Sequence, residues 1–155
     1  MRYFTFALMA LAMVFGPTSA VAQLHVSVEG VDFKPVRIAV PDFDATGPGA
    51  AEAAAQLSEV VRQDLKTSAV FEIVDKSSFI QKDVDISLNP RFPDWQTINA
   101  QALLVGNVVV DADNKMTVQF RLYNVEGSQQ QFATQYAYPN PLNWRRLAHK
   151  VADDV

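Results

Sequence analysis

Two acidic residues stand where this sequence could carry catalysis. Asp42 and Asp44 flank Phe43 directly after the apolar, β-branched segment 36–40. Proteins of the α/β class commonly place functional acids at the carboxyl end of a strand. One hypothesis is therefore an enzyme that uses one of these carboxylates. The local sequence favours the alternative, a turn that approaches a helix and leaves both carboxylates in solvent.

Other catalytic or metal-binding side chains are scarce. The chain has no cysteine, which excludes disulfides, thiolate metal sites and a cysteine nucleophile. Its two histidines, His25 and His149, lie far apart in the sequence without a carboxylate at ligand spacing, so we interpret both as surface or packing residues. The motifs of serine hydrolases, zinc proteases, P-loop proteins and dinucleotide-binding folds do not occur. We therefore predict a protein that is not an enzyme and holds no metal or cofactor.

The turn Gly47-Pro48-Gly49 resembles a phosphate-binding loop. Backbone N–H groups at the start of the helix predicted from Ala50 would attract anions. No lysine, serine or threonine follows at P-loop spacing. A solute- or anion-binding module is thus an alternative function, beside the simpler interpretation that the turn starts a helix. The loop acids lack the series of oxygen ligands that a calcium loop needs; they are Asp83, Asp85, Asp111 and Asp113.

Composition limits the class of protein further. The chain has 155 residues, of which 49% are hydrophobic, enough for one domain with a proper core. Thirteen basic residues against seventeen acidic ones give a net charge of −4, and there is no basic run. A nucleic-acid partner is therefore not expected.

The first 22 residues have the pattern of a secretory signal peptide. Arg2 precedes the apolar run 3–15, and Ala20-Val21-Ala22 fits the small-x-small cleavage rule, with Gln23 as the new N-terminus. The run is shorter than the ~20 residues that a membrane-spanning helix needs, which disfavours the alternative of an N-terminal anchor. We expect a periplasmic protein that has no membrane span after cleavage and, because no cysteine follows, no lipid anchor.

The rest of the chain alternates between strand and helix patterns. Strands are predicted over 36–40, 70–74, 102–110, 116–123 and 131–138, the last three as an antiparallel meander with 102–110 in a central position. We predict the α/β class in an α+β-like form, with a small mixed sheet and helices packed on it.

Helical periodicity starts at Ala50 and continues to Ala69, with Glu59, Arg62, Asp64 and Lys66 assigned to the outer face. Asp75 or Ser77 could cap a short helix, Asp94 is predicted to cap a helix over 94–100, and Asn143 a final one. The final pattern continues to Val155 without a terminating glycine or proline, so we expect this chain to be the front part of a longer protein.

The segment 23–34 offers a function that needs no catalytic residue. Leu24, Val26 and Val28 alternate with polar residues, and Gly30 then breaks the pattern. A strand of this kind can be the edge of its own domain, or it can leave that domain and add to the sheet of a partner. In the second case main-chain hydrogen bonds give affinity and the apolar side chains fill pockets.

Several short motifs, in this order and spacing, resemble the N-terminal region of the TolB family, periplasmic components of the Tol-Pal envelope system. The resemblance covers essentially the whole chain. Its motifs are the segment 23–32, Gly47-Pro48-Gly49-Ala50-Ala51, Leu104-Val105-Gly106-Asn107-Val108, Arg121-Leu122-Tyr123 and the helix 144–155. The core pattern around Val36-Arg37-Ile38-Ala39-Val40 also resembles α/β modules of other envelope and signalling proteins, which share the fold alone.

The resemblance implies a domain 35–155 followed by a β-propeller that is absent here. It also implies an adaptor that supports outer-membrane integrity and invagination at cell division. The partner would be the C-terminal domain of TolA, and Pal would bind the propeller. The implied TolA-binding residues are Gln23, Leu24, His25, Val26, Ser27, Val28, Glu29, Gly30, Val31 and Asp32. Ser27 departs from the family pattern, where an apolar β-branched residue stands.

Overall fold

The computed structural model describes residues 34–139 and 144–155. The predicted signal peptide, the segment 23–32 and the cap at Asn143 lie outside the described residues. The strands are β1 (Val36–Ala39), β2 (Asp44–Thr46), β3 (Phe71–Ile73), β4 (Ala102–Val110), β5 (Met116–Asn124) and β6 (Gln129–Tyr138). The helices are α1 (Ala50–Thr67), α2 (Phe92–Thr97) and α3 (Trp144–Asp153), with one 3₁₀ turn at Lys76–Ser78.

The strands form one six-stranded mixed sheet in the order β3-β1-β4-β5-β6, with β2 also paired to β4. Strands β1 and β3 run parallel to each other, and β1 and β2 run parallel to β4. Strands β4, β5 and β6 form the antiparallel meander. The predicted fold class, the meander and the central position of β4 are confirmed.

The larger core lies between the sheet and the helices α1 and α3. Leu57, Val61 and Leu65 of α1 are fully or almost fully buried, and Leu147 and Val151 of α3 are fully buried. They pack against side chains on one face of the central strands, which include Ile38, Leu104, Val108, Val118 and Phe120. The amphipathic periodicity of both helices therefore matches the face that they bury.

A second core covers part of the opposite face of the sheet. Trp95 of α2 is fully buried, and its ring meets that of Phe79 edge-on at 5.1 Å. Both pack with Leu103, Val105 and Tyr123 of the central strands. Among the described residues, none of the helices is long and apolar enough to cross a membrane.

Three local predictions are wrong in detail. Strand β2 was not predicted, because it has only three residues and no run of apolar side chains. It is a strand because it pairs with β4 at Asn107 to Val109. Helix α2 starts at Phe92, with Pro93 in its first turn, so Asp94 lies inside the helix and does not cap it. Helix α1 ends at Thr67, and Ala69 follows with a left-handed φ of 59°. The Asp75 cap is confirmed, since its side chain accepts a hydrogen bond from the Ser77 N–H.

Candidate functional site

The described chain begins where the predicted partner-binding segment would join the sheet. Lys34 leads through Pro35 into β1, and both residues line an open groove of about 680 Å³. The groove also contains charged and amide side chains, among them Arg37, Glu72, Gln96, Gln101 and Glu126. The lining therefore carries both signs of charge.

The wall of this groove is fixed by a reciprocal pair of hydrogen bonds. The Arg37 N–H donates to Gln101 Oε1 at 3.0 Å, and the Gln101 N–H donates to the Arg37 carbonyl at 2.8 Å. The Val36 N–H donates to the Val70 carbonyl at 2.9 Å on the other side of β1. The start of β1 is thus hydrogen-bonded on both sides.

Asp42 does not have the geometry of a free catalytic acid. Its Oδ1 accepts from Arg62 Nη2 at 3.0 Å and from Lys76 Nζ at 2.7 Å, and Lys76 also reaches Oδ2 at 2.5 Å. Partial burial acts to raise the pKa of Asp42, but the hydrogen bonds from Lys76 and Arg62 outweigh it and hold the pKa below its ordinary value.

The environment predicted for Arg62 is wrong. This residue was assigned to the solvent face of α1, but it is only 8% exposed. Its Nη1 donates to the Val40 carbonyl at 2.9 Å, and Nη2 contacts Glu59 at 2.9 Å as well as Asp42. The residue thus ties α1 to the end of β1. The long aliphatic stem of arginine allows this position at the border of the apolar face.

Asp44 starts β2 and lines a cavity of about 280 Å³ that Asp42 also borders. Burial raises the pKa of Asp44, and the nearby Asp85 and Asp83 add to this effect. The two predicted acids therefore share one small cavity. Because Asp42 is committed to two cations, it serves the junction between β1, α1 and the Lys76 turn better than it would serve a substrate.

Both glycines of the turn before α1 have positive φ, and Gly47 also has a packing reason to be glycine. Gly47 has φ 101° and Gly49, which caps α1, has φ 70°. A Cβ at Gly47 would lie 1.9 Å from the Val110 carbonyl oxygen, so only glycine lets this backbone approach β4. These contacts explain the turn without a bound anion.

His149 has a carboxylate partner that the sequence did not reveal. Its Nδ1 lies 2.5 Å from Asp64 Oδ2, across the interface between α3 and α1, although the residues are 85 positions apart. His25 lies outside the described residues. Within 34–139 and 144–155, no group of acids and histidines could hold a metal ion. The loop acids instead stabilise turns: Asp85 accepts from the Ser87 N–H at 2.7 Å and Asp111 from the Lys115 N–H at 2.8 Å.

Sequence comparison shows to which family the chain belongs. Residues 24–131, most of the chain, match the TolB amino-terminal domain family. The chain belongs to the TolB amino-terminal domain family. A relative, the Tol-Pal system protein TolB of Paramagnetospirillum magneticum, is 35% identical over 151 residues, which are 97% of this chain and 33% of the relative. The chain thus spans about a third of the length of that TolB protein.

Solved structures agree on the fold. The structure of TolB from Acinetobacter baumannii superimposes with a TM-score of 0.61 at 22% identity. The match covers 77% of this chain and 27% of the TolB chain. Lipoprotein GNA1162 from Neisseria meningitidis superimposes with a TM-score of 0.54 at 12% identity, and the match covers 77% of this chain and 96% of the lipoprotein chain. The LpoB C-terminal domain from Salmonella enterica superimposes with a TM-score of 0.52 at 15% identity, and the match covers 71% of this chain and 86% of the LpoB chain. At these identities, the likeness to the lipoprotein and to LpoB shows only that these proteins have the same fold as this chain.

Proposed function

We propose that this chain is the N-terminal part of a non-enzymatic Tol-Pal adaptor whose segment Gln23–Asp32 binds the C-terminal domain of TolA. The observation that carries the proposal is the family match, which starts at residue 24 and therefore includes all of this segment except Gln23, together with most of the sheet. The segment is the part of the sequence that offers binding without catalysis. Partner recognition then requires no catalytic residue in the domain.

The proposed mode of binding is strand addition. If the segment binds as a strand, Leu24, Val26 and Val28 would lie on one side of it and His25 and Ser27 on the other. Main-chain hydrogen bonds would attach the segment to an edge strand of TolA, and the apolar side chains would enter pockets. Ser27, polar where the family pattern is apolar, would contribute less than its neighbours.

The described domain supports an adaptor that transmits force. The segment joins β1 through Lys34 and Pro35, and β1 is hydrogen-bonded to β3 on one side and β4 on the other. A pull on the segment would therefore act on an interior strand of the sheet, and core strands are the parts of a domain that open last. A flexible loop at that position would absorb the pull instead.

We further propose that residues 1–22 direct the chain to the periplasm, that 23–34 is the partner-binding segment and that 35–155 is the supporting domain. A β-propeller would follow and bind Pal, in line with the chain spanning 33% of the length of its relative. Such a protein would connect inner- and outer-membrane partners, and so support outer-membrane integrity and invagination at division.

The alternation of apolar and polar residues in segment Gln23–Asp32 allows a test of strand addition. Val26→Asp would place a charge in an apolar pocket, and we expect it to weaken binding to the TolA C-terminal domain by about tenfold or more in a calorimetric titration. His25→Asp adds the same charge on the opposite side of the segment and serves as the matched control. Equal losses in the two variants, or no loss in either, would contradict the proposed mode.

A further inference from the structure

Helix α3 is held on the domain by an apolar face and by polar contacts on its flanks. Leu147, Ala148 and Val151 are fully buried in the core that α3 shares with α1 and the sheet. On one flank, His149 Nδ1 lies 2.5 Å from Asp64 Oδ2 of α1. Within residues 34–139 and 144–155, this is the one ion-pair contact between α1 and α3. The apolar face therefore supplies most of the attachment, and His149 adds a polar contact to it.

The contacts on the other flank of α3 involve no histidine. Lys150 Nζ lies 4.7 Å from the centre of the Tyr136 ring, and the Tyr136 hydroxyl donates to Asp154 Oδ2 at 2.5 Å. Lys150 also pairs with Asp154 at 3.7 Å. The Tyr136 hydroxyl raises the pKa of Lys150, so this side chain stays a cation at neutral pH. Lysine, tyrosine and aspartate ordinarily keep their charge between about pH 5.5 and 7.5, so this flank should respond little to pH.

The contact between His149 and Asp64 differs because histidine ordinarily changes charge near pH 6.5. An imidazolium donates from Nδ1 to an ionised carboxylate and adds a charge–charge attraction. A neutral imidazole loses that attraction, and the tautomer with its proton on Nε2 also loses the donor. The side chains of His149 and Asp64 are 59% and 31% exposed, so the contact exchanges protons directly with solvent.

The other charges near His149 come from its own helix. On α1, the residues one turn away from Asp64 are all uncharged; they are Val60, Val61, Thr67 and Ser68. On β6, the titratable residues beside α3 are Tyr136 and Tyr138. On α3 itself, Arg145 and Arg146 precede His149, Lys150 follows it, and Asp153 lies one turn later. An experiment on the His149–Asp64 pair must therefore cancel the influence of these neighbours.

We propose that His149 and Asp64 form a pH-sensitive clasp between α3 and α1, which tightens when His149 gains a proton. The apolar contacts of α3 hold throughout the range, and the clasp adds to them in mildly acidic solution. Its contribution is present at pH 5.5 and is lost as the pH rises and the imidazole becomes neutral. Local opening of α3 should then be rarer at pH 5.5 than at pH 7.5. This proposal does not depend on TolA binding.

A double-mutant cycle read by amide hydrogen exchange tests the clasp. The variants are His149→Gln, Asp64→Asn and the two together, and the measured quantity is the protection of the α3 amides from Ala148 to Ala152 in the full chain. The coupling between the two substitutions isolates the pair, because the neighbouring charges are the same in all four proteins. We expect a coupling factor of about threefold at pH 5.5 and below about 1.5-fold at pH 7.5.

Lys150→Gln combined with Asp154→Asn is the matched control, because this ion pair lies on the same helix and should couple equally at both pH values. Urea denaturation of the same proteins at each pH gives the coupling for global unfolding, so the test also holds where α3 opens only with the whole domain. A coupling between His149 and Asp64 that is equal at the two pH values, absent at both or larger at pH 7.5 would overturn the proposal.

Discussion

At the scale of single residues, Arg62 explains how the end of β1 is held. A buried guanidinium is tolerable only when its donors are paired, and here Val40, Glu59 and Asp42 pair them. The same contacts orient the carboxylate that the sequence offered as a catalytic acid. The network is therefore a structural junction at the place where an α/β enzyme would keep its chemistry.

Replacing Arg62 should destabilise the domain. Arg62→Met keeps the aliphatic stem but leaves the Val40 carbonyl without its side-chain donor, so we expect the free energy of unfolding to fall by about 1–3 kcal/mol. Arg146→Met is the matched control, because Arg146 is exposed on α3 and its replacement should cost no more than about 0.5 kcal/mol. Urea denaturation at pH 7 measures both. Similar losses for the two variants would contradict the structural role.

Asp42 and Asp44 should respond to pH in opposite directions. The pKa of Asp42 is lowered from 3.8, so its ionised form stabilises the fold above that pH, and the stabilisation is lost as the pH falls through the folded-state value. The pKa of Asp44 is raised from 3.8, so its ionised form destabilises the fold near neutrality. We expect Asp42→Asn to lower, and Asp44→Asn to raise, the unfolding free energy at pH 7.

Both differences should vanish well below pH 3.8, where wild-type carboxylates are protonated in the folded and unfolded states alike. Urea denaturation at a series of pH values measures this. Shifts of the same sign for both variants at pH 7 would contradict the assigned environments.

At the scale of elements, the sequence predicts what local periodicity determines. The long helix from Ala50, the central strand β4 and the β5–β6 meander follow from repeats of apolar residues. Features that depend on distant contacts were not predictable: β2 exists through pairing with β4, and His149 meets Asp64 only after α3 packs on α1. The buried state of Arg62 likewise depends on the Val40 carbonyl, which is 22 positions away.

The turn before α1 permits a comparison of two neighbouring glycines. An added methyl group at Gly47 would collide with the Val110 carbonyl, whereas at Gly49 it would meet open space. We expect Gly49→Ala to cost about 1 kcal/mol, because its φ is positive, and Gly47→Ala to cost clearly more. Thermal unfolding of both variants measures the difference. Equal costs would mean that the turn is not fixed by its contact with β4.

At the scale of the whole molecule, the described residues build two cores on the two faces of one sheet. Those core residues that the structure describes lie between Ile38 and Val151. Folding and partner binding should therefore be separable, which makes the adaptor proposal testable by removal of the segment.

The most direct test is a titration of the chain from Gln23 onward against the TolA C-terminal domain, beside a variant that starts at Pro35. Circular dichroism and thermal unfolding first establish that both are folded. We predict that the longer chain binds with micromolar-range affinity and that the shorter one, equally stable, does not bind. Equal affinity of the two, or no binding by either, would contradict the proposal that segment Gln23–Asp32 makes this domain an adaptor.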